Sequence, residues 1–234
     1  MQDLTFIIPF QKDSEDRLEN LLFVINYLKA NTDASILIST TTPNIQYIPG
    51  DVDCCYKPDP GYNIRTELGQ LGYRKAKTKY VCLNDVDVII EPEHYKYAYE
   101  FLKEHDIVYP YYTPMFEVER DFIVNKEFKK DNVKYPCNVG GLFWGNKDKI
   151  MSAGGENCTM KGWGFEDYER YERFRRLLLN IKNISIPVYH IKHEITIFNN
   201  INNPDADKNL LIYNRVMSMK HHELLEYAML LQAL

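Results

Sequence analysis

Residues 79–90 read KYVCLNDVDVII, and the order of residue types in this run decides the fold. The near-continuous apolar content describes a strand buried on both faces, as in a parallel sheet. Asn84, Asp85 and Asp87 interrupt it at its exit. Acids are depleted in strands, and carboxylates leaving a buried one need water, a turn or a cation to offset their desolvation.

Strands and helices alternate on either side. LTFIIPF (4–10) is a short apolar strand, and SEDRLENLLFVINYLKA (14–30) carries apolar residues at helical spacing behind Ser14, a capping residue. ASILIST (34–40) is a second strand. The Pro-, Asp- and Gly-rich residues 43–63 read as loop with a short strand near Asp53 to Tyr56, before a helix over Arg65 to Lys77. Strands separated by helices imply crossover connections and an α/β fold with a mainly parallel sheet. Such sheets bind ligands beyond the carboxyl ends of their strands.

Downstream, residues 91–105 predict a helix, DIVYPYYTPMF (106–116) a strand running into a turn, and 117–134 a charged segment of undetermined form. NVGGLFWGNKDKIMSAGG (138–155) reads as a glycine bend, a short strand and a helix ended by Gly154 and Gly155. EDYERYERFRRLLLN (166–180) is a helix and ISIPVYHI (184–191) the last strand. Residues 199–209 read as mobile, and 208–234 as helical with an apolar face, including Leu224, Leu225, Met229, Leu230 and Leu231, that can pack on the domain, meet a partner or touch a membrane, core packing being the expectation.

A chain of 234 residues with 45% hydrophobic and 26% charged content can bury one large core. Its 18 Tyr and 11 Phe suit a cleft that stacks flat ligands, though most such rings serve cores. A net charge of -5 and a pI near 5.7 provide no basic field, so nucleic acid is not expected as a partner. Five cysteines, odd in number and without a CxxC pair, exclude a disulfide framework and a zinc knuckle as the reading. No leader pattern or membrane-length apolar run is seen, which reads as cytoplasmic.

Three constellations carry chemistry. Asp85 and Asp87 can present oxygens to a hard divalent cation that also holds a diphosphate, or can be a solvated strand end. His190 and His193, three apart, can bind a transition ion such as Mn²⁺ together with Asp87, or be a surface pair. KGWGFEDYER (161–170) sets Trp163 between glycines and ahead of Glu166 and Asp167. The indole can lie on a sugar face and the acids can accept hydrogen bonds or a proton. Acids are equally favoured in the first turn of a helix.

Six pieces in order, IIPF, NIRTELGQLGY, NDVDVI, NVGGLFWGNKDKI, GWGFED and HIKH, resemble the GT-A fold glycosyltransferases, most of all the β-1,4-galactosyltransferase catalytic domain, with kinship to the chondroitin polymerase type. The resemblance spans roughly residues 4–195 and implies a Rossmann-like mixed, mainly parallel sheet flanked by helices. It implies a catalytic domain over residues 1–198, with 199–234 packing on it. It also implies inverting transfer of galactose or N-acetylgalactosamine from a UDP-sugar to a carbohydrate acceptor, with Mn²⁺ as cofactor and Mg²⁺ as the second candidate.

Carried across by position, Pro9 and Phe10 would lie against the uridine, Arg65 would contact the nucleotide, and Asp85 would face the ribose or diphosphate. Asp87 and His193 would bind the metal, joined by His190 where the galactosyltransferases carry methionine. Gly140 and Gly141 would admit the donor sugar, Trp163 would meet both sugars, Glu166 would hydrogen-bond a sugar and Asp167 would be the catalytic base. The segment after His193 would fold over the nucleotide. Four departures qualify the match. Tyr168 replaces a third acid, Asn138 occupies the position that gates donor size, Gln11 and Lys12 replace a basic start, and Phe165 replaces a glycine. The expected setting is a bacterial or viral enzyme that builds surface polysaccharide or decorates a glycan or glycolipid, in the cytoplasm or peripheral to the inner membrane. A sugar nucleotidyltransferase, whose Gly-rich basic loop is missing from PFQKDSEDR, a glycan-binding module and a non-catalytic scaffold are the competing readings.

Overall fold

The structure is a computed structural model that describes residues 1–110, 113–124, 128, 132–194 and 205–234. Strand β1 (Leu4–Phe10) is buried throughout, and its alternation sends Leu4, Phe6, Ile8 and Phe10 into one core and Ile7 into another on the opposite face. Helix α1 (Glu15–Asn31) covers the first face with Leu21, Val24, Ile25 and Leu28, and Ser14 caps it by accepting the Arg17 N–H at 3.3 Å. After β2 (Ser35–Thr40) and β3 (Asp53–Tyr56), helix α2 (Arg65–Lys75) covers the second face. It lies very close to the sheet because Gly72 has no side chain: a Cβ there would fall 2.2 Å from Ile7 Cγ2 and 2.8 Å from Ser39 Oγ.

The chain continues through β4 (Tyr80–Asn84), β5 (Val88–Ile89), α3 (Pro92–Phe101), β6 (Ile107–Pro110), β7 (Thr113–Val118), α4 (Arg120–Val124) and β8 (Val133–Asn138). Then come β9 (Leu142–Asn146), α5 (Lys147–Ser152), α6 (Glu166–Arg176), β10 (Ile181–Ile184), β11 (Val188–Ile191), α7 (Ala206–Ser218) and α8 (His221–Ala233). The larger sheet runs β10-β6-β9-β4-β1-β2-β3, parallel throughout except for β9, which is antiparallel to both neighbours. A smaller sheet, β5-β11-β7-β8, joins β11 and β7 in parallel and the other pairs antiparallel.

The mixed, mainly parallel sheet expected from the sequence is therefore present. Three apolar runs read as single strands are each two. Residues 79–90 divide into β4 and β5, 106–116 fall in β6 and β7, and 184–191 hold the end of β10 and all of β11. In each case the first strand belongs to the larger sheet and the second to the smaller. Apolar content persists across each join because both sheets contribute to a shared core, with Val88, Met115 and Val188 packed in the same cluster as β1 and α1.

Strand β8 was not anticipated where the sequence read as charged segment and glycine bend. The residues expected to be mobile, 199–209, include the opening of α7, while 195–204, the segment expected to cover the nucleotide, lie outside the described residues. The closing helical stretch is two helices broken at Met219 and Lys220, both with extended backbone. Helix α8 packs against α5 and buries Leu224, Ala228 and Leu231, but leaves Leu225, Met229 and Leu230 exposed, so the apolar cluster is only partly core. No helix among the described residues is long and apolar enough to cross a membrane.

Candidate active site

The turn between β4 and β5 passes from one sheet to the other and carries the acids. Asn84, buried at its start, donates through Nδ2 to the carbonyls of Asp85 (2.7 Å) and Val88 (2.9 Å), while Val88 N–H donates to Asp85 O at 3.2 Å. An amide side chain thus holds the backbone turn, as Asn commonly does. The two carboxylates engage different partners. Asp85 Oδ1 accepts Arg65 Nε at 2.7 Å, and Asp87 Oδ2 accepts Arg17 Nη1 at 3.0 Å.

Pairing of β5 with β11 sets His190 opposite Val88, and Ile191 N–H donates to Asp87 O at 2.7 Å. His190 Nε2 lies 3.7 Å from Asp87 Oδ1, and His193 Nε2 lies 3.2 Å from Oδ2. Ligand atoms of Asp87, His190 and His193 all fall within 4.8 Å of one another. Nδ1 of His193 donates to the Glu194 carbonyl at 2.7 Å, which in the neutral ring leaves the Nε2 lone pair turned to the cluster. Burial, reinforced by Lys134 and His193 against the pull of Asp87, lowers the His190 pKa to about 4, so this ring is a neutral donor at physiological pH. For His193 the hydrogen bond and charge of Asp87 outweigh burial and raise the pKa. Asp87 is itself held well below the usual carboxylate range, because His190, Arg17 and His193 together outweigh its burial. One buried carboxylate and two partly buried imidazoles, charge-compensated, fit a divalent transition ion.

The second cluster stands at the start of α6. Gly162 (φ 69°), Gly164 (φ 116°) and Phe165 (φ 67°) all occupy the left-handed region and turn the tryptophan loop sharply into the helix. Glycine adopts this without cost, whereas Phe165 bears about 1–2 kcal/mol of backbone strain; its ring pairs with Tyr213 at 5.9 Å. Gly164 N–H donates to Glu166 Oε2 at 2.7 Å. Burial, with the charge of Asp167 beside it, pushes the Glu166 pKa up to about 7.

Asp167 behaves oppositely. Its Oδ1 accepts Arg170 Nη2 at 2.5 Å and Arg65 Nη1 at 3.4 Å, and these guanidiniums outweigh burial and lower its pKa. Two adjacent acids are thereby driven apart, one toward the neutral form and one kept ionised. Gly140 lies hard against Asp167: a Cβ there would come within 2.2 Å of Oδ2.

Both clusters open into one cleft of about 650 Å³ at the carboxyl end of β4. Of the residues singled out in the sequence, Pro9, Arg65, Asp85, Asp87, Trp163, Glu166, Asp167, His190 and His193 line it. Gly140 abuts it through Asp167, and Gly141 (φ 87°) accepts the Asp85 N–H at 2.7 Å. Phe10 is the exception, because the alternation of β1 puts its side chain in the core. Arg17 and Lys134 also line the cleft and were not singled out, nor was buried Arg170. For Arg170 a signal existed, since it follows Asp167 by three residues on a helix and so shares its face.

No protein-family model matches the chain, and no curated protein matches it by sequence. Solved structures do match. The catalytic domain of Drosophila β1,4-galactosyltransferase 7 with xylobiose superposes at TM-score 0.51 and 16% identity, covering 88% of this chain and 69% of that one. A mutant of the same Drosophila enzyme, in complex with manganese, UDP-Gal and xylobiose, gives TM-score 0.54 and 17% identity over 82% of this chain and 72% of that one. GalNAc-T7 with UDP, GalNAc and Mn²⁺ gives TM-score 0.65 and 13% identity over 91% of this chain and 47% of that one. The chain has the GT-A fold of these catalytic domains.

Proposed function

We propose that the protein is a metal-dependent, inverting hexosyltransferase that moves galactose or N-acetylgalactosamine from a UDP-sugar to a carbohydrate hydroxyl. One observation carries this reading: a single cleft holds both the Asp87, His190 and His193 cluster and an ionised Asp167 beside Trp163. The ligands named in the neighbouring complexes, UDP-Gal or UDP with manganese, and xylobiose or GalNAc, support the donor, cation and acceptor classes.

Asp87, His190 and His193 would hold Mn²⁺. When bound, the ion neutralises the charge that develops on departing UDP. Pro9 and Arg65 border the side of the cleft assigned to the nucleotide, and the Trp163 ring offers an apolar face to a sugar. Asp167 accepts the proton of the acceptor hydroxyl as its oxygen bonds to the anomeric carbon and the bond from that carbon to the diphosphate breaks. Arg65 and Arg170 keep Asp167 ionised for this role, while Glu166 hydrogen-bonds a sugar hydroxyl. A single displacement of this kind inverts the anomeric centre. The catalytic unit in this reading spans residues 1–198, against which α7 and α8 pack through α6 and α5, and synthesis of surface polysaccharide or decoration of a glycan is the setting that suits the acceptor class.

Release of UDP from a panel of UDP-sugars, with Mn²⁺ or with chelator, tests the reading. The expected result is metal-dependent release from one donor, nearly abolished in Asp167→Asn while Mn²⁺-dependent UDP binding persists. No release from any donor, or unchanged turnover in Asp167→Asn, overturns the transferase or the base assignment respectively.

A further inference from the structure

Arg170 lies one helical turn beyond Asp167 on α6 and is 1% exposed. A guanidinium so buried needs its donors matched, and Arg170 spreads them over three side chains. Nε donates to the Tyr109 hydroxyl at 2.9 Å, Nη1 to Glu156 at 2.8 and 3.1 Å, and Nη2 to Asp167 at 2.5 Å. The Phe143 ring lies 4.4 Å from the guanidinium carbon. Glu156, also buried, accepts the Tyr73 hydroxyl at 3.0 Å, and its own N–H donates to Gln70 Oε1 at 3.0 Å. The plane of the guanidinium is therefore fixed by β6, β9 and α2 together.

A pair that served only folding would be complete with Arg170 and Glu156, which already share two hydrogen bonds and balance in charge. The further contact reaches out of that pair to the cleft. We propose that Arg170 is a positioning residue, which sets the orientation of the Asp167 carboxylate for proton abstraction by transmitting to it the rigid packing of the larger sheet. This deepens, and rests on, the assignment of Asp167 as base.

Among the described residues, the charged and titratable groups that act on Asp167 are Arg65 from α2, Asp85 from the turn after β4, Glu166 and Arg170 from α6, and Tyr109 from β6, while Glu156, in the segment before α6, faces Arg170. Burial raises the pKa of Asp167, and the two guanidiniums outweigh it. Removing one of them moves the carboxyl back toward protonation.

Arg170→Met alone would leave Glu156 buried and uncompensated, so the informative variants are Arg170→Lys and the double variant Glu156→Gln with Arg170→Met. The carboxyl carbon of Asp167, in protein labelled with ¹³C-aspartate and identified by its loss in Asp167→Asn, is followed by NMR against pH beside UDP release. In the double variant Asp167 titrates at higher pH than in the parent, and the acidic limb of kcat/KM moves up with it. Its kcat falls about 10- to 100-fold, the scale of small misplacements, while Mn²⁺-dependent UDP binding stays within about threefold. Arg170→Lys restores the charge without the fork, so it recovers the titration but not kcat. An Asp167 titration and acidic limb unmoved in the double variant overturn the inference. If the parent protein releases no UDP but the titration moves as expected, the transferase reading fails and control of Asp167 by Arg170 stands.

Discussion

Gly140→Ala isolates the geometry of the proposed base with a single methyl group. The backbone at Gly140 is outside the left-handed region, so alanine fits it without strain, and the added Cβ meets Asp167 alone within 3.5 Å. That Cβ would fall 2.2 Å from Oδ2 and 3.0 Å from Cγ. Restoring an ordinary contact of 3.4 Å requires the carboxylate oxygen to withdraw by about 1.2 Å, the scale at which misplacement costs about 100-fold in rate. That factor corresponds to about 2.7 kcal/mol. Withdrawal also pulls Oδ1 away from Arg170 and Arg65, so the side chain has no equivalent position to adopt. The assay is kcat for UDP release with Mn²⁺, paired with calorimetric UDP binding. Turnover should drop about 100-fold with binding within about threefold. Gly50→Ala, where a Cβ meets nothing within 4 Å, is the control. Wild-type turnover in Gly140→Ala would refute both the packing and the role given to Asp167.

Asp87→Ala and His193→Ala should each weaken Mn²⁺ binding by at least about 100-fold, measured by the electron paramagnetic resonance of free Mn²⁺, and abolish the metal dependence of UDP binding; retained affinity would dismiss the cluster as a cation site. Glu166 has a folded pKa of about 7, above its unfolded value, so the stability it contributes is present in acid and lost as pH rises through about 7. Glu166→Gln should accordingly raise the melting temperature at pH 8.5, by on the order of 3 kcal/mol in stability, and change little at pH 4; equal effects at both pH values would contradict it. Gly72→Ala drives a methyl into Ile7 and Ser39 beneath α2, and urea unfolding should register a loss of about 1–3 kcal/mol.

Much of the fold was legible because the strongest local signals agree with tertiary packing. The Ser14 cap, the helical spacing of Leu21, Val24, Ile25 and Leu28, and the alternation of β1 each serve the same core. The joins between sheets were not legible. Val88 and Cys82 read alike as buried strand residues, and nothing local distinguishes a strand that continues from one that changes partner. The lining of the cleft was legible where a motif lies within one turn, as in Trp163 to Asp167. Phe10 was misplaced because the side-chain direction of a strand residue depends on which face the cleft adjoins. Arg17, Lys134 and Arg170 were missed because basic residues on helices and edge strands usually face water, and only the fold brings these to the acids.

The pairing of β5 with β11 joins Asp87 to two histidines nearly half the chain away. Any fluctuation that parts these two short strands also separates the three ligand atoms. Cation affinity and the opening of the smaller sheet are therefore linked quantities, each opposing the other by the same free energy. A bound ion would register as slowed amide exchange in β5 and β11, far beyond the side chains that touch it.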